Sequence, residues 1–260
     1  MFLILPLSGC SKTYISIKKP SAENSNGECV VLLHGLARTY RAMDSMQETL
    51  TEAGYHTVNL DYPSTGKDIE TLAEEHFSEA IDQCRQFRPK AIHFVTHSLG
   101  GIVLRKSLVE NRPPLLGKVV MLSPPNSGSA VTDKFQDWWF YKWLNGPAGQ
   151  ELHTGRDSMP NRLGPVDYPV GVIAGDQYAF FDVWFSSILP GKDDGKVSVE
   201  RAKVDGMRDF LVVHESHAFI MNSRYVQMET LHFLKHGVFK HKKEPLSPVS
   251  GSDWFSFQSK

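Results

Sequence analysis

Short, continuous aliphatic runs recur along this chain: Cys29-Val-Val-Leu-Leu33, Ala91-Ile-His-Phe-Val95, Lys118-Val-Val-Met-Leu122 and Val170-Gly-Val-Ile-Ala174. A strand with one wet face alternates apolar and polar residues, whereas one covered on both faces has no reason to alternate. These runs therefore read as strands inside a sheet that is covered on both sides. His56-Thr-Val-Asn-Leu60 and Leu211-Val-Val213 add two more strands. Between them lie helical patterns at about 43–53, 69–87, 102–110 and 226–236. The second is the clearest, with Leu72, Ala73, His76, Phe77, Ala80, Ile81, Cys84 and Phe87 at three- and four-residue steps. Gly54 closes the first at the position after the helix where a left-handed residue is favoured. Strands alternating with helices predict an α/β fold: a doubly wound, mostly parallel sheet with helices on both faces. In such sheets ligands meet the chain beyond the carboxyl ends of the strands.

The chain has 260 residues, 41% of them hydrophobic, enough for one globular domain with a sizeable core. Its 28 basic and 29 acidic side chains give a net charge of −1, without the basic excess of a nucleic-acid partner. Three cysteines are too few for a disulfide scaffold. No run approaches the roughly 20 apolar residues of a transmembrane helix.

The first residues are apolar and end in Leu7-Ser8-Gly9-Cys10, which resembles the bacterial lipobox, although no Lys or Arg precedes the run. By that resemblance residues 1–9 are a signal-peptide remnant, Cys10 carries the lipid, and the protein faces the periplasm from the outer membrane. A cytoplasmic protein with a frayed or strand-forming N-terminus is the alternative. Residues 10–27 are polar and read as a tether and a short strand. Cys29 and Cys84 would then be the remaining thiols; they could pair in an oxidising compartment, and sequence leaves open whether they meet.

The third buried strand runs directly into Thr96-His97-Ser98-Leu99-Gly100-Gly101, followed at once by a helix. A serine on so tight a turn is held out above the sheet edge, and small neighbours are needed where strand and helix backbones nearly collide. The amide of Leu99 then points from the helix start toward a developing oxyanion. An N-capping serine is the plainer reading. With these residues the chain resembles the α/β-hydrolase family, especially its bacterial lipase-like branch; Thr96 departs from the family's Gly-x-Ser-x-Gly pattern. His34-Gly35-Leu36, after the first buried strand, is similar to that branch's His-Gly-x turn. The resemblance implies a second oxyanion donor in the Leu36 amide and a structural role for His34.

The family's order is serine, acid, histidine. Lys192-Asp193-Asp194-Gly195-Lys196-Val197 resembles the turn that carries the acid, which implies Asp194, with Asp176 and Asp193 as competitors. His217, in His214-Glu-Ser-His217, matches the histidine that follows the last strand; His214 reads as packed or solvated and still within that strand. The histidine pairs 214/217 and 232/236 invite a metal reading, but no Cys, Asp or Glu cluster accompanies them, so neither a metal nor another cofactor is expected. Ser123-Pro-Pro-Asn-Ser-Gly-Ser129 resembles a turn that shapes the acyl side of lipase pockets.

The segment 126–165 carries Trp138-Trp-Phe-Tyr-Lys-Trp143. It is expected to form a cap with an apolar acyl pocket, an interfacial membrane contact, or an ordinary core helix. Phe180-Phe-Asp-Val-Trp-Phe185 is a second apolar cluster near the same place. By that resemblance residues 28–240 are expected to form an α/β-hydrolase domain, and 241–260 read as a loosely packed tail. The resemblance implies a serine hydrolase acting on a lipid or other acyl ester. Alternatives are acyl transfer, thioester or amide hydrolysis by the same residues, or a binding lipoprotein that keeps the fold without turnover.

Overall fold

The computed structural model describes residues 14–178 and 192–241. The lipobox-like segment with Cys10, the Phe180–Phe185 cluster and all of the tail beyond His241 lie outside the described residues. Seven strands form one sheet: β1 (Tyr14–Lys18), β2 (Cys29–Leu33), β3 (His56–Asp61), β4 (Ile92–His97), β5 (Leu116–Leu122), β6 (Val170–Gly175) and β7 (Asp209–Val213). The spatial order is β1-β3-β2-β4-β5-β6-β7, parallel throughout except for β1, which pairs antiparallel with β3. The sheet is therefore doubly wound and mostly parallel.

The lack of alternation in the strand sequences has its cause in the packing. Every residue of β2 is buried. Val31 and Leu33 point into one apolar cluster with α2 (Ile69–Arg85) and α3 (Leu99–Glu110). Val30 and Leu32 point into the other, with α1 (Asp44–Glu52) and, at the C-terminus, the last helix (Arg224–His236). The period of two is present, but both phases are apolar because both faces are covered. Strand β1, at the sheet edge, is only part-buried, so its sequence is mixed and its signal weak.

Helix α2 starts where the Asp68 side chain accepts from the Thr71 amide at 2.7 Å. It buries the anticipated stripe, including Leu72, Phe77, Ala80 and Ile81. The last residue of that stripe is Cys84, and its sulfur is bonded to Cys29, with the Cα atoms 5.8 Å apart. The question left open by sequence is thus answered: the two cysteines form a disulfide that ties α2 to β2.

Two sequence readings need correction. The helix expected from 102 begins at Leu99, directly after Ser98. The strand expected to contain His214 ends at Val213, so His214 stands exposed beyond it. Between β5 and β6 the chain inserts α4 (Ala130–Phe135), α5 (Trp139–Gln150) and α6 (Met159–Arg162). In α5 only Ala148 and Gly149 are buried, which removes the ordinary core-helix reading of the aromatic segment. A short α7 (Val199–Ala202) precedes β7, and the C-terminal helix is α8.

After β2 the chain goes to β3 on one side, and then crosses to β4 on the other. That reversal opens a crevice between the carboxyl ends of β2 and β4. The turns His34–Leu36 and His97–Leu99 both lie there.

Candidate active site

Ser98 sits between the last residue of β4 and the first of α3 with φ 52° and ψ −123°. A side chain is strained in that region, and the strain is typical of a turn built for function. The turn is tight because α3 packs onto β2: a Cβ at Gly100 would lie 2.7 Å from the His34 carbonyl and 2.8 Å from that of Leu33. The requirement for a small residue two positions after the serine is thus a backbone contact. Two positions before it, Thr96 is accommodated because it faces Gly101, where a Cβ would come 3.3 Å from its hydroxyl.

The Ser98 hydroxyl lies 2.9 Å from Nε2 of His217, and Nδ1 of the same ring lies 2.8 Å from Oδ2 of Asp194. Three residues from three separate loops, predicted at far-apart positions, are brought into one hydrogen-bonded chain. Exposure falls along it, from 8% at Ser98 to 4% at His217 and 1% at Asp194. The other oxygen of Asp194 accepts from the amides of Val197 at 2.9 Å and Lys196 at 3.1 Å. Complete burial pushes this carboxyl upward. The His217 charge and N–H, the Ser123 hydroxyl and the Val197 amide outweigh it, and the pKa is lowered from its ordinary 3.8.

The rival acids are occupied elsewhere. Asp193 closes a turn by accepting from the Gly195 amide at 2.8 Å. Asp176 lies 2.9 Å from Nδ1 of the exposed His214 and 3.4 Å from Lys192 Nζ. The 214/217 histidine pair therefore splits between two carboxylates. In the 232/236 pair, Nδ1 of His232 donates to the Val238 carbonyl at 2.8 Å.

The turn after β2 is fixed from several directions. Tyr62 donates its hydroxyl to the His34 carbonyl and stacks on the His34 ring at 4.3 Å. Nδ1 of His34 bonds the Gly35 carbonyl at 2.8 Å, and the Ala37 amide donates to Ser64 Oγ at 3.1 Å. A Cβ on Gly35 would fall 2.8 Å from His97 Nδ1 and 3.1 Å from Ser98 Cβ, so only glycine lets the turn approach the serine. Among the described residues, the Leu36 and Leu99 amides donate to no backbone carbonyl or side chain. Leu36 lines the same cavity as Ser98, and Leu99 follows the serine as the first residue of α3.

Two supporting residues escape the sequence reading. His97 is fully buried, and its Nε2 donates to the carbonyl of His217 at 2.9 Å. The amide of His217 in turn donates to the Asp194 carbonyl at 2.9 Å, so its backbone is gripped at both ends. Burial above all, then the His217 charge, drives the His97 pKa well below 6.5, and the ring is neutral. Its signal was a polar residue at the end of a strand buried on both faces, where a polar group needs a partner. Ser123, with φ 45°, donates to Asp194 and accepts from the Gly175 amide at 3.3 Å. It positions the carboxylate as well as starting the turn that leads toward the pocket wall.

Beside Ser98 opens a cavity of about 750 Å³. Pro125, Val131, Phe135, Tyr141, Leu144 and Leu152 form much of its wall. The aromatic segment therefore divides: part of it covers the cavity, while Trp139 and Trp143 stand 78% and 80% exposed. The arrangement can deprotonate a hydroxyl, hold an oxyanion and lodge an apolar chain beside the reacting atoms.

Comparison with known proteins agrees with this architecture. The model of the alpha/beta hydrolase family matches residues 30–233. Among solved structures, the mature lipase of Bacillus licheniformis superposes with a TM-score of 0.68 at 20% identity, covering 85% of this chain and 98% of its own. An esterase from Exiguobacterium antarcticum superposes at 0.54 with 16% identity, covering 86% and 95%. A phospholipase from Legionella pneumophila superposes at 0.53 with 20% identity; the match covers 68% of this chain and 45% of that one. At these identities the likeness is one of fold. No curated protein gives a significant sequence match.

Proposed function

This chain belongs to the α/β-hydrolase family, whose model spans residues 30–233, and from that premise we propose that it is a serine hydrolase cleaving a carboxylic ester of a lipid or other acyl substrate. The observation that carries the reading is the hydrogen-bonded chain Ser98–His217–Asp194 at the mouth of an apolar cavity. Ser98 Oγ attacks the ester carbonyl carbon as its proton passes to Nε2 of His217. The Leu36 and Leu99 amides hold the oxyanion, and Asp194 orients the imidazole and stabilises its cationic form. The tetrahedral intermediate collapses with loss of the alcohol, which takes the proton from His217 and leaves the acyl group on Ser98. Water, deprotonated by His217, then releases the carboxylic acid and restores the serine.

The fold sits, in this proposal, on the periplasmic face of the outer membrane of a bacterial envelope, tethered through a lipidated Cys10. The Leu7-Ser8-Gly9-Cys10 segment supports this, as does the Cys29–Cys84 disulfide, since such bonds persist in oxidising compartments. The exposed Trp139 and Trp143 suit a lipid–water boundary.

The test is hydrolysis of p-nitrophenyl esters of graded chain length by wild-type and Ser98→Ala protein. Turnover that rises with chain length and falls roughly 10⁴-fold or more in the variant is expected. A folded wild type that cleaves none of them, or a variant as active as wild type, overturns the proposal.

A further inference from the structure

Arg105 is 3% exposed and stands on α3, the helix that begins directly after Ser98. Its guanidinium meets neutral acceptors. Nη1 donates to the Asn126 carbonyl at 3.2 Å and to Asn126 Oδ1 at 3.1 Å, and Nη2 donates to the Gly164 carbonyl at 2.6 Å. Among the described residues no carboxylate pairs with it. Burial pushes the guanidinium down to about 10 from 12.5, so it stays charged at neutral pH. A buried cation held by neutral groups alone is costly, and an apolar side chain of similar size is usually no less stable in such a place. Stability therefore does not account for this arginine. A guanidinium supplies what an apolar chain does not: a rigid fork of donors that can hold separate stretches of chain at once.

The stretches it holds bracket the insertion between β5 and β6. Asn126 belongs to the Ser123–Ser129 turn by which the chain leaves β5, and Gly164 follows α6, where the chain returns toward β6. That turn is bonded along its length to the segment carrying Asp194. Ser123 donates to the Asp194 carboxylate. Asn126 Nδ2 donates to the Ala202 carbonyl at 2.8 Å, and Arg201 Nη1 to the Ser127 carbonyl at 2.8 Å. Ser129 Oγ donates to the Lys196 carbonyl at 2.7 Å, and the Lys196 amide donates to Asp194 Oδ1 at 3.1 Å. On its other side, the hydrogen bonds that join the turn to α3 come, among the described residues, from Arg105. The guanidinium thus links the helix that starts at the serine to the turn that grips the acid.

Resting on the ester-hydrolase reading above, we propose that Arg105 is a positioning residue for that reaction: through the Ser123–Ser129 turn it holds the Asp194 carboxylate in register with His217 and Ser98. Its effect reaches the reaction through Asp194, so it changes the rate of the chemical step rather than the binding of substrate.

The experiment measures kcat and KM of the full chain for a p-nitrophenyl ester. The proteins are wild type, Arg105→Met, Arg105→Lys, Asp194→Asn, and each Arg105 substitution combined with Asp194→Asn; urea unfolding establishes that each is folded. Arg105→Met is expected to lower kcat about ten- to hundredfold with KM changed less than about twofold, as for a small misplacement of the reacting groups. Arg105→Lys keeps the charge with fewer donors and should fall between. In the Asp194→Asn background the same substitutions should lower kcat by less than about twofold, because residues that act as one unit are not additive. A merely structural loss would multiply equally in both backgrounds. If Arg105→Met does not fold, Arg105→Lys alone completes the cycle. An unchanged kcat in folded Arg105 variants, a loss confined to KM, or an equal fold-loss with and without Asp194 overturns the positioning proposal and leaves the hydrolase reading intact. A folded wild type without Ser98-dependent turnover overturns both.

Discussion

Replacing Ser98 by alanine and by glycine should separate the strain of the turn from its chemistry. Both substitutions remove the hydroxyl and its 2.9 Å bond to His217, so that loss cancels between them. What differs is the backbone. At φ 52° and ψ −123° a residue with a Cβ carries a strain of about 1–3 kcal/mol, and glycine carries essentially none. Glycine loses about 0.5–1 kcal/mol more backbone entropy on folding. The difference leaves Ser98→Gly more stable than Ser98→Ala by roughly 1 kcal/mol, or about 2–4 °C in Tm for a chain of this size. A small preference for glycine over alanine at a helix N-cap acts in the same direction. Exposed Ser78, inside α2, supplies the control: there alanine should win by about 1 kcal/mol. Urea unfolding of the four variants measures both differences. If glycine is the worse residue at 98 by the same margin as at 78, the turn is not strained and the argument for a serine forced outward fails.

Three other outcomes follow from the same structure. The Cys29–Cys84 bond closes a sequence separation of 55, so chain-entropy loss implies about 4 kcal/mol of stabilisation; the double Cys→Ala variant should melt about 10 °C lower, and an unchanged Tm would contradict that estimate. Asp194→Asn should keep the fold but lower kcat by about 10⁴, because the amide no longer stabilises the cationic imidazole, and steady-state kinetics reads this directly. Stability should also fall as pH drops below 6.5. His97 is held neutral with its pKa well below that value in the fold, so between the two the unfolded chain binds more protons. The slope is at most about 1.4 kcal/mol per pH unit for this one group, and His97→Asn should flatten the urea-unfolding pH profile by that amount.

The sheet was legible because burial on both faces erases alternation: Val30 and Val31 serve opposite clusters, and the sequence reads as one apolar run. The edge strand β1 has only partial burial to report, so its residues carried little signal. The amphipathic stripe of α2 pointed to a helix, yet its Cys84 said nothing of Cys29, because pairing depends on how α2 lies across β2. The residues that meet at the site were named from motifs. For the acid the motif favoured Asp194 and left Asp176 and Asp193 as competitors, because all three sit on loops whose course depends on the rest of the fold; it is Asp194 that reaches His217. The aromatic segment was ambiguous for a physical reason: α5 uses Tyr141 and Leu144 toward the cavity and Trp139 and Trp143 toward solvent, so its face has no single apolar side to read. His97 and Ser123 were missed as supports, since each holds its partner across the sheet edge rather than along the sequence.

The central claim is that Ser98 is a nucleophile activated by His217. A fluorophosphonate probe reacts with such a serine, and mass spectrometry of the digested protein locates the adduct. The account predicts a single adduct on Ser98 in the wild type, lost in Ser98→Ala and greatly slowed in Asp194→Asn. A folded wild type that stays unlabelled, with and without detergent, or an adduct on another serine, would contradict it.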